Sequence, residues 1–174
     1  MNKKILFLDF DGVINSQKFL RSQYFKDSIQ GLTDAELYLL KYEYMIDPEA
    51  VKLVNDLVAR SGAEVVASTS HRNRYSLDEM NLMLKNRGAT FQIVAKTPRG
   101  MPKKFSQCVD RGDEIEEYLS CCRQEGEQVE SFVILDDHSD MGNVRNNLVL
   151  TSDRTGITME NVEEALQILN GETK

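Results

Sequence analysis

The sequence predicts an α/β fold: a doubly wound, mostly parallel, five-stranded sheet of Rossmann-like type. Short runs that are almost wholly apolar alternate with amphipathic helical stretches, as expected for strands buried on both faces of a parallel sheet. Residues able to do chemistry recur directly after four of those runs, which would gather them at the carboxyl edge of the sheet. No repeat, linker or low-complexity stretch interrupts the 174 residues. A chain of this size buries roughly 70% of its unfolded surface as one domain, so residues 1–174 are read as a single domain with a small insertion at about 16–46.

Each element has a local cause. Ile5 to Leu8 form the first strand, and Asp9 and Asp11 leave its end on one face while Gly12 frees the backbone to turn. Within 16–46, Thr33 and Glu36 make a capping-box pattern, and Leu37, Leu40 and Tyr44 recur at helical spacing, which predicts one helix. The insertion is too short for an independent lid. One reading is a helix packed on the sheet edge.

Asp47, Pro48 and Glu49 supply an N-cap, a first-position proline and a first-turn acid to a helix whose Val51, Val54, Leu57 and Val58 face inward up to Gly62. Glu64 to Ala67 is the second strand, opening into Ser68, Thr69, Ser70 and Arg72. Ser76 and Glu79 cap a helix that buries Met80, Met83 and Leu84 before Gly88, and Phe91 to Ala95 is the third strand. A loop from Thr97 to Asp110, broken by Pro98, Gly100 and Pro102, precedes a helix starting near Arg111 that buries Ile115, Tyr118, Leu119 and Cys122. Ser131 to Leu135 is the fourth strand, ending in Asp136 and Asp137, and Leu148 to Leu150 the fifth. Thr158 caps a last helix with Val162, Ala165, Leu166 and Leu169 inward.

The formal net charge of −7 argues against broad electrostatic affinity for nucleic acid or anionic membranes. Its distribution is uneven, however. Arg72, Arg74, Lys96, Arg99, Lys103, Lys104 and Arg111 all fall after the second and third strands, which predicts a positive rim around the site on an acidic protein. Cys108, Cys121 and Cys122 have no metal-ligand spacing and read as buried free thiols in a reducing cytosol. The first apolar run stops at Asp9, too soon for a signal segment or a membrane span, so a cytoplasmic protein with no membrane partner is expected.

Carboxylates converging at a strand end repel one another unless a cation lies between them, and oxygen donors suit a hard divalent cation. Asp9 and Asp11 after the first strand, a hydroxyl cluster after the second, basic residues after the third and Asp136 with Asp137 after the fourth resemble, in that order, the four motifs of the haloacid dehalogenase (HAD) superfamily of Mg²⁺-dependent phosphohydrolases. The resemblance covers essentially the whole chain. Ser70-x-Arg72 is similar to the second motif of polynucleotide 3'-phosphatases. Arg111 in R-x-x-E-I is similar to the third motif of small HAD-like domains of the RNA-repair type, where the wider superfamily has lysine.

The resemblance implies a HAD-like phosphomonoesterase with a minimal cap. Asp9 would be the nucleophile and a Mg²⁺ ligand, and Asp11 the acid and base, reaching the metal through its backbone carbonyl. Asp136 would complete the metal shell, with Asp137 or Asp140 holding metal waters or orienting the site. Ser70 is preferred over Ser68 and Thr69 as the phosphate-binding hydroxyl, Arg72 would grip the phosphate, and His71 reads as structural. Arg111 is preferred over Lys103 or Lys104 as the third-motif cation. An open site suits a bulky phosphorylated substrate such as a polynucleotide end, with nucleotides as the smaller alternative. A phosphotransferase or mutase, or a non-catalytic phosphate-binding module, would use the same fold.

Overall fold

The computed structural model describes residues 3–99 and 110–171. Strands β1 (Lys3–Leu8), β2 (Glu64–Ala67), β3 (Ile93–Lys96), β4 (Val129–Asp136) and β5 (Leu148–Leu150) form one five-stranded sheet in the order β3-β2-β1-β4-β5. Every pairing is parallel. Helices α1 (Gln17–Leu20), α2 (Gln23–Ile29) and α3 (Asp34–Met45) follow β1. Then come α4 (Pro48–Ser61), α5 (Leu77–Asn86), α6 (Arg111–Gln124) and α7 (Met159–Leu169).

The chirality of strand crossovers explains the layering. From β1 through α4 to β2, and through α5 to β3, the chain moves one way across the sheet, so right-handed crossovers place α4 and α5 on one face. It then returns through α6 to β4 on the far side of β1, which places α6 on the other. Alternate strand residues serve the two faces accordingly. Leu6, Leu8, Val65, Val133 and Leu135 pack with Val51, Val54, Leu57, Met80, Val162 and Leu166. Ile5, Phe7, Val66 and Ile134 pack with Ile115 and Met141. Leu57 is wholly buried at the centre of the first layer; cutting it to Ala would cost about 2–5 kcal/mol.

The helix signals at Asp47, Ser76 and Thr158 act as expected: each side chain accepts a backbone N–H of its own helix, and Gly62 ends α4 with a positive φ. Three expectations need correction. Residues 16–46 hold three helices, because Ser16 and Ser22 are additional N-caps accepting from the Phe19 and Phe25 amides. The third strand is Ile93–Lys96, starting where Asn81 bonds both the N–H and the carbonyl of Ile93. Cys122 is buried but Cys121 is exposed; Cys108 lies outside the described residues. Among the described residues, no helix is long and apolar enough to cross a membrane.

Candidate active site

Strand order reverses between β1 and β4, so their carboxyl ends part around a crevice, the usual ligand position in such sheets. Asp9 follows β1 and Asp136 ends β4. The Asp9 amide extends the ladder to the Leu135 carbonyl at 3.0 Å, fixing where the two chains diverge. Carboxylate oxygens of Asp9, Asp136 and Asp137 lie within 4.8 Å of one another. Asp9 and Asp136 are buried.

Arg111, at the first position of α6, neutralises part of this charge. Its Nη1 donates to Asp9 Oδ2 at 2.5 Å and to Asp136 Oδ2 at 2.6 Å. Burial works against the guanidinium charge, but Asp9 and Asp136 outweigh it and raise the Arg111 pKa. Asp136 is pushed well above the ordinary carboxylate range by burial and by Asp9, against the pull of Arg111. Its Oδ1 accepts the His138 amide at 2.8 Å. Asp137 is also raised, first by partial burial.

One cation among three carboxylates leaves an excess of negative charge. Asp137 Oδ1 is buried without a hydrogen-bond partner among the described residues, the His138 Nε2 standing 3.7 Å off. An orphaned hard oxygen beside two further carboxylates fits a divalent cation such as Mg²⁺, which Asp9, Asp136 and Asp137 would hold. Gly12 admits Asp137 to the group: its φ is +69°, and a Cβ there would stand 2.4 Å from the Asp137 carboxyl carbon. Asp140 is exposed and stands apart, its Oδ2 3.5 Å from the Arg111 amide at the start of α6.

Asp11 is held from two sides. Asn15 Nδ2 donates to Oδ1 at 2.7 Å, while its own Oδ1 accepts the Gly12 amide. His71 Nε2 lies 2.9 Å from Asp11 Oδ2 and donates when the carboxylate is ionised. The His71 bond leads in holding the Asp11 carboxyl below its ordinary value, with partial burial opposing.

The residues after the second strand fall into an exposed and a buried set. Ser68 and Thr69 are buried and Ser70 is exposed. Arg72 is buried and turned inward: Nε donates to the Thr97 carbonyl, Nη1 to Thr69 and Nη2 to Pro98, and Nη2 also pairs with Glu114. This guanidinium ties the ends of β2 and β3 to α6 and is not brought to the carboxylates. The positive rim is correspondingly thinner. Lys96 Nζ donates to the carbonyls of Arg72 and Tyr75, leaving Arg74 and Arg99 as the exposed cations of that set among the described residues. Lys103 and Lys104 lie outside the described residues.

Sequence reasoning missed Asn15, His71 as a partner of Asp11, and Gly112, whose backbone packs directly on that of Met141 at the start of α6. Asn15 falls four residues after Asp11 within one turn, a legible signal; the other two pairings join residues distant in sequence. A cavity of about 740 Å³ between α6 and the start of β4, lined by Leu119, Arg123, Phe132 and Val144 among others, contains none of these groups.

Comparison with curated proteins finds no match. Residues 5–162 match the family model described as the HAD domain in Swiss Army Knife RNA repair proteins. That span includes every carboxylate of the site, Arg111 and the whole sheet except the first two residues of β1, and the chain belongs to this family.

Proposed function

We propose that the protein is a Mg²⁺-dependent phosphomonoesterase that works through an aspartyl-phosphate on Asp9 and acts on phosphorylated nucleic-acid ends. The family supports HAD-type phosphohydrolase activity in general, generally uses Mg²⁺, and is described by RNA repair. The observation that carries the reading is the cluster of Asp9, Asp136 and Asp137 around one guanidinium at the β1–β4 crevice.

A phosphate ester is an anion, and a carboxylate nucleophile approaching it must overcome like-charge repulsion. Mg²⁺ held by Asp9, Asp136 and Asp137 would supply positive charge that offsets this repulsion. Asp9 attacks phosphorus, forming an acyl phosphate as the ester P–O bond breaks. The negative charge of a bound phosphate opposes the His71 and Asn15 bonds and favours the protonated form of Asp11, from which a proton passes to the departing alkoxide. Asp11 then takes one from the water that attacks phosphorus as the acyl P–O bond to Asp9 breaks. His71 and Asn15 fix the Asp11 carboxyl in place for both transfers. Arg111 balances the transferring phosphoryl group from the start of α6, and hydroxyls of Ser70 and Thr69 supply donors to its oxygens. Arg72 positions the loops that present those hydroxyls. The segment from α1 to α3 serves as a minimal cap.

The test is a panel of phosphate esters, including an activated aryl phosphate and 3'- and 5'-phosphorylated oligonucleotides, assayed with and without Mg²⁺. Hydrolysis is expected only with the metal, and Asp9→Asn should lower it by roughly three orders of magnitude or more. Turnover that survives both chelation and Asp9→Asn rejects the mechanism. Tight phosphate binding without any turnover points instead to a non-catalytic binding module.

A further inference from the structure

The residue that protonates a leaving group marks the side on which that group departs. Asp11 must approach the bridging oxygen to about 3 Å, so whatever that oxygen carries lies against the neighbours of Asp11. On the Oδ2 side, past His71, those neighbours are aromatic. His71, bonded to Asp11, has the Tyr42 ring centroid 3.9 Å from its own, and Tyr75 lies 5.6 Å from Tyr42. The Arg74 guanidinium lies over both tyrosines, 5.4 Å from the Tyr75 centroid and 6.0 Å from that of Tyr42.

This group is built from two parts of the chain. Tyr42 comes from α3, whereas Arg74 and Tyr75 follow the 3₁₀ helix Ser70–Asn73 after β2. Both tyrosines are part-exposed and Arg74 is exposed. Proximity of Asp11 contributes, after burial, to a raised pKa of the Tyr42 hydroxyl, which places that ring within the field of the site. None of the three has a part in the phosphoryl chemistry above.

We propose that Tyr42, Tyr75 and Arg74 form a base-binding subsite for the terminal nucleoside of a phosphorylated nucleic-acid strand. The proposal rests on the phosphohydrolase reading for the direction in which the nucleoside lies. Aromatic faces and guanidinium planes stack on any nucleobase, so such a platform accepts ends of differing sequence. Arg74 adds positive charge where the strand continues away from the scissile phosphate. Because one tyrosine comes from α3, the insertion helps choose the substrate as well as covering the crevice.

Equilibrium binding decides the matter without turnover. The ligands are a short single-stranded RNA bearing a 3'-phosphate and the same strand with an abasic 3'-terminal nucleotide, measured in the presence of a chelator. The wild-type protein should prefer the base-bearing strand by about 5- to 150-fold, the range for one stacked base. Tyr42→Leu, which keeps apolar bulk but no π face, and Arg74→Gln, at an exposed position, should each shrink that preference at least threefold, by a rough stacking estimate. Where turnover is present, kcat/KM for the RNA relative to acetyl phosphate should fall in parallel. Equal affinity for the two strands in wild type overturns the subsite, as does an undiminished preference in Arg74→Gln. Absence of turnover on every phosphate tried would instead overturn the hydrolase reading, and the binding ratio would still decide this one.

Discussion

Gly112 lies against the backbone of Met141 so closely that a Cβ on it would stand 2.2 Å from the Met141 carbonyl oxygen. The contact brings the first turn of α6 onto the loop after β4, and with it carries Arg111 between Asp9 and Asp136. Its Cβ would meet main-chain atoms that cannot rotate aside. Gly112→Ala should therefore cost about 1–3 kcal/mol in stability, as overpacking does, and lower kcat together with phosphate affinity. Denaturant unfolding and steady-state kinetics on an aryl phosphate check this; wild-type values for both would mean that α6 docks less tightly than the structure shows.

Arg72 and Glu114 pair where their side chains are only 6% and 13% exposed, and the same guanidinium also serves three carbonyls. Removing it takes this cation away from a mostly buried carboxylate and leaves those carbonyls short of donors. Arg72→Ala should destabilise the protein by about 3–5 kcal/mol. Arg72→Lys should recover only part of this, because an ammonium cannot reproduce the planar fork. A residue whose work was to grip substrate phosphate would instead change KM with little effect on unfolding, so thermal or denaturant melts distinguish the two roles.

Asp137 is expected to report metal binding through stability. Binding to the folded state alone raises the unfolding free energy by about 2.7 kcal/mol when Mg²⁺ is at 100 times its Kd. Scanning calorimetry of wild type across a Mg²⁺ titration should show the melting temperature climbing and chelator reversing it. Asp137→Asn should need several-fold more Mg²⁺ for the same climb, since a neutral amide replaces a charged oxygen. An identical titration curve would remove Asp137 from the metal site.

Asp11 should separate proton transfer from metal binding. Asp11→Asn keeps the shape needed by Asn15 and His71 but cannot exchange a proton. Slower loss of the phosphoenzyme is expected, with a penalty that grows as the leaving group becomes a poorer one. Mg²⁺ affinity should stay near wild type, because the side chain faces Asn15 and His71. Rates reduced equally for aryl and alkyl phosphates, with Mg²⁺ affinity lost, would contradict this division.

The sequence by itself determined the α/β class, the helices starting after Asp47, Ser76, Asp110 and Thr158, and the family. Those features are local or strictly ordered. Caps act within one turn, parallel strands show as apolar runs, and the four motifs keep their order at successive strand ends. The insertion was harder to read because α3 buries no residue fully, so its apolar spacing marks the helix but only weakly the side that packs.

Tertiary structure decided which charged groups meet. Asp9, Arg111 and Asp136 are adjacent because right-handed crossovers return the chain to the far side of β1, and sequence spacing contains no such distance. The same folding turned Arg72 inward to carbonyls and Glu114, made His71 a partner of Asp11, and chose Asp137 over Asp140 for the carboxylate group. A charged side chain reads alike in sequence whether it is paired or free; its burial and its partners arise only once distant strand ends are packed side by side.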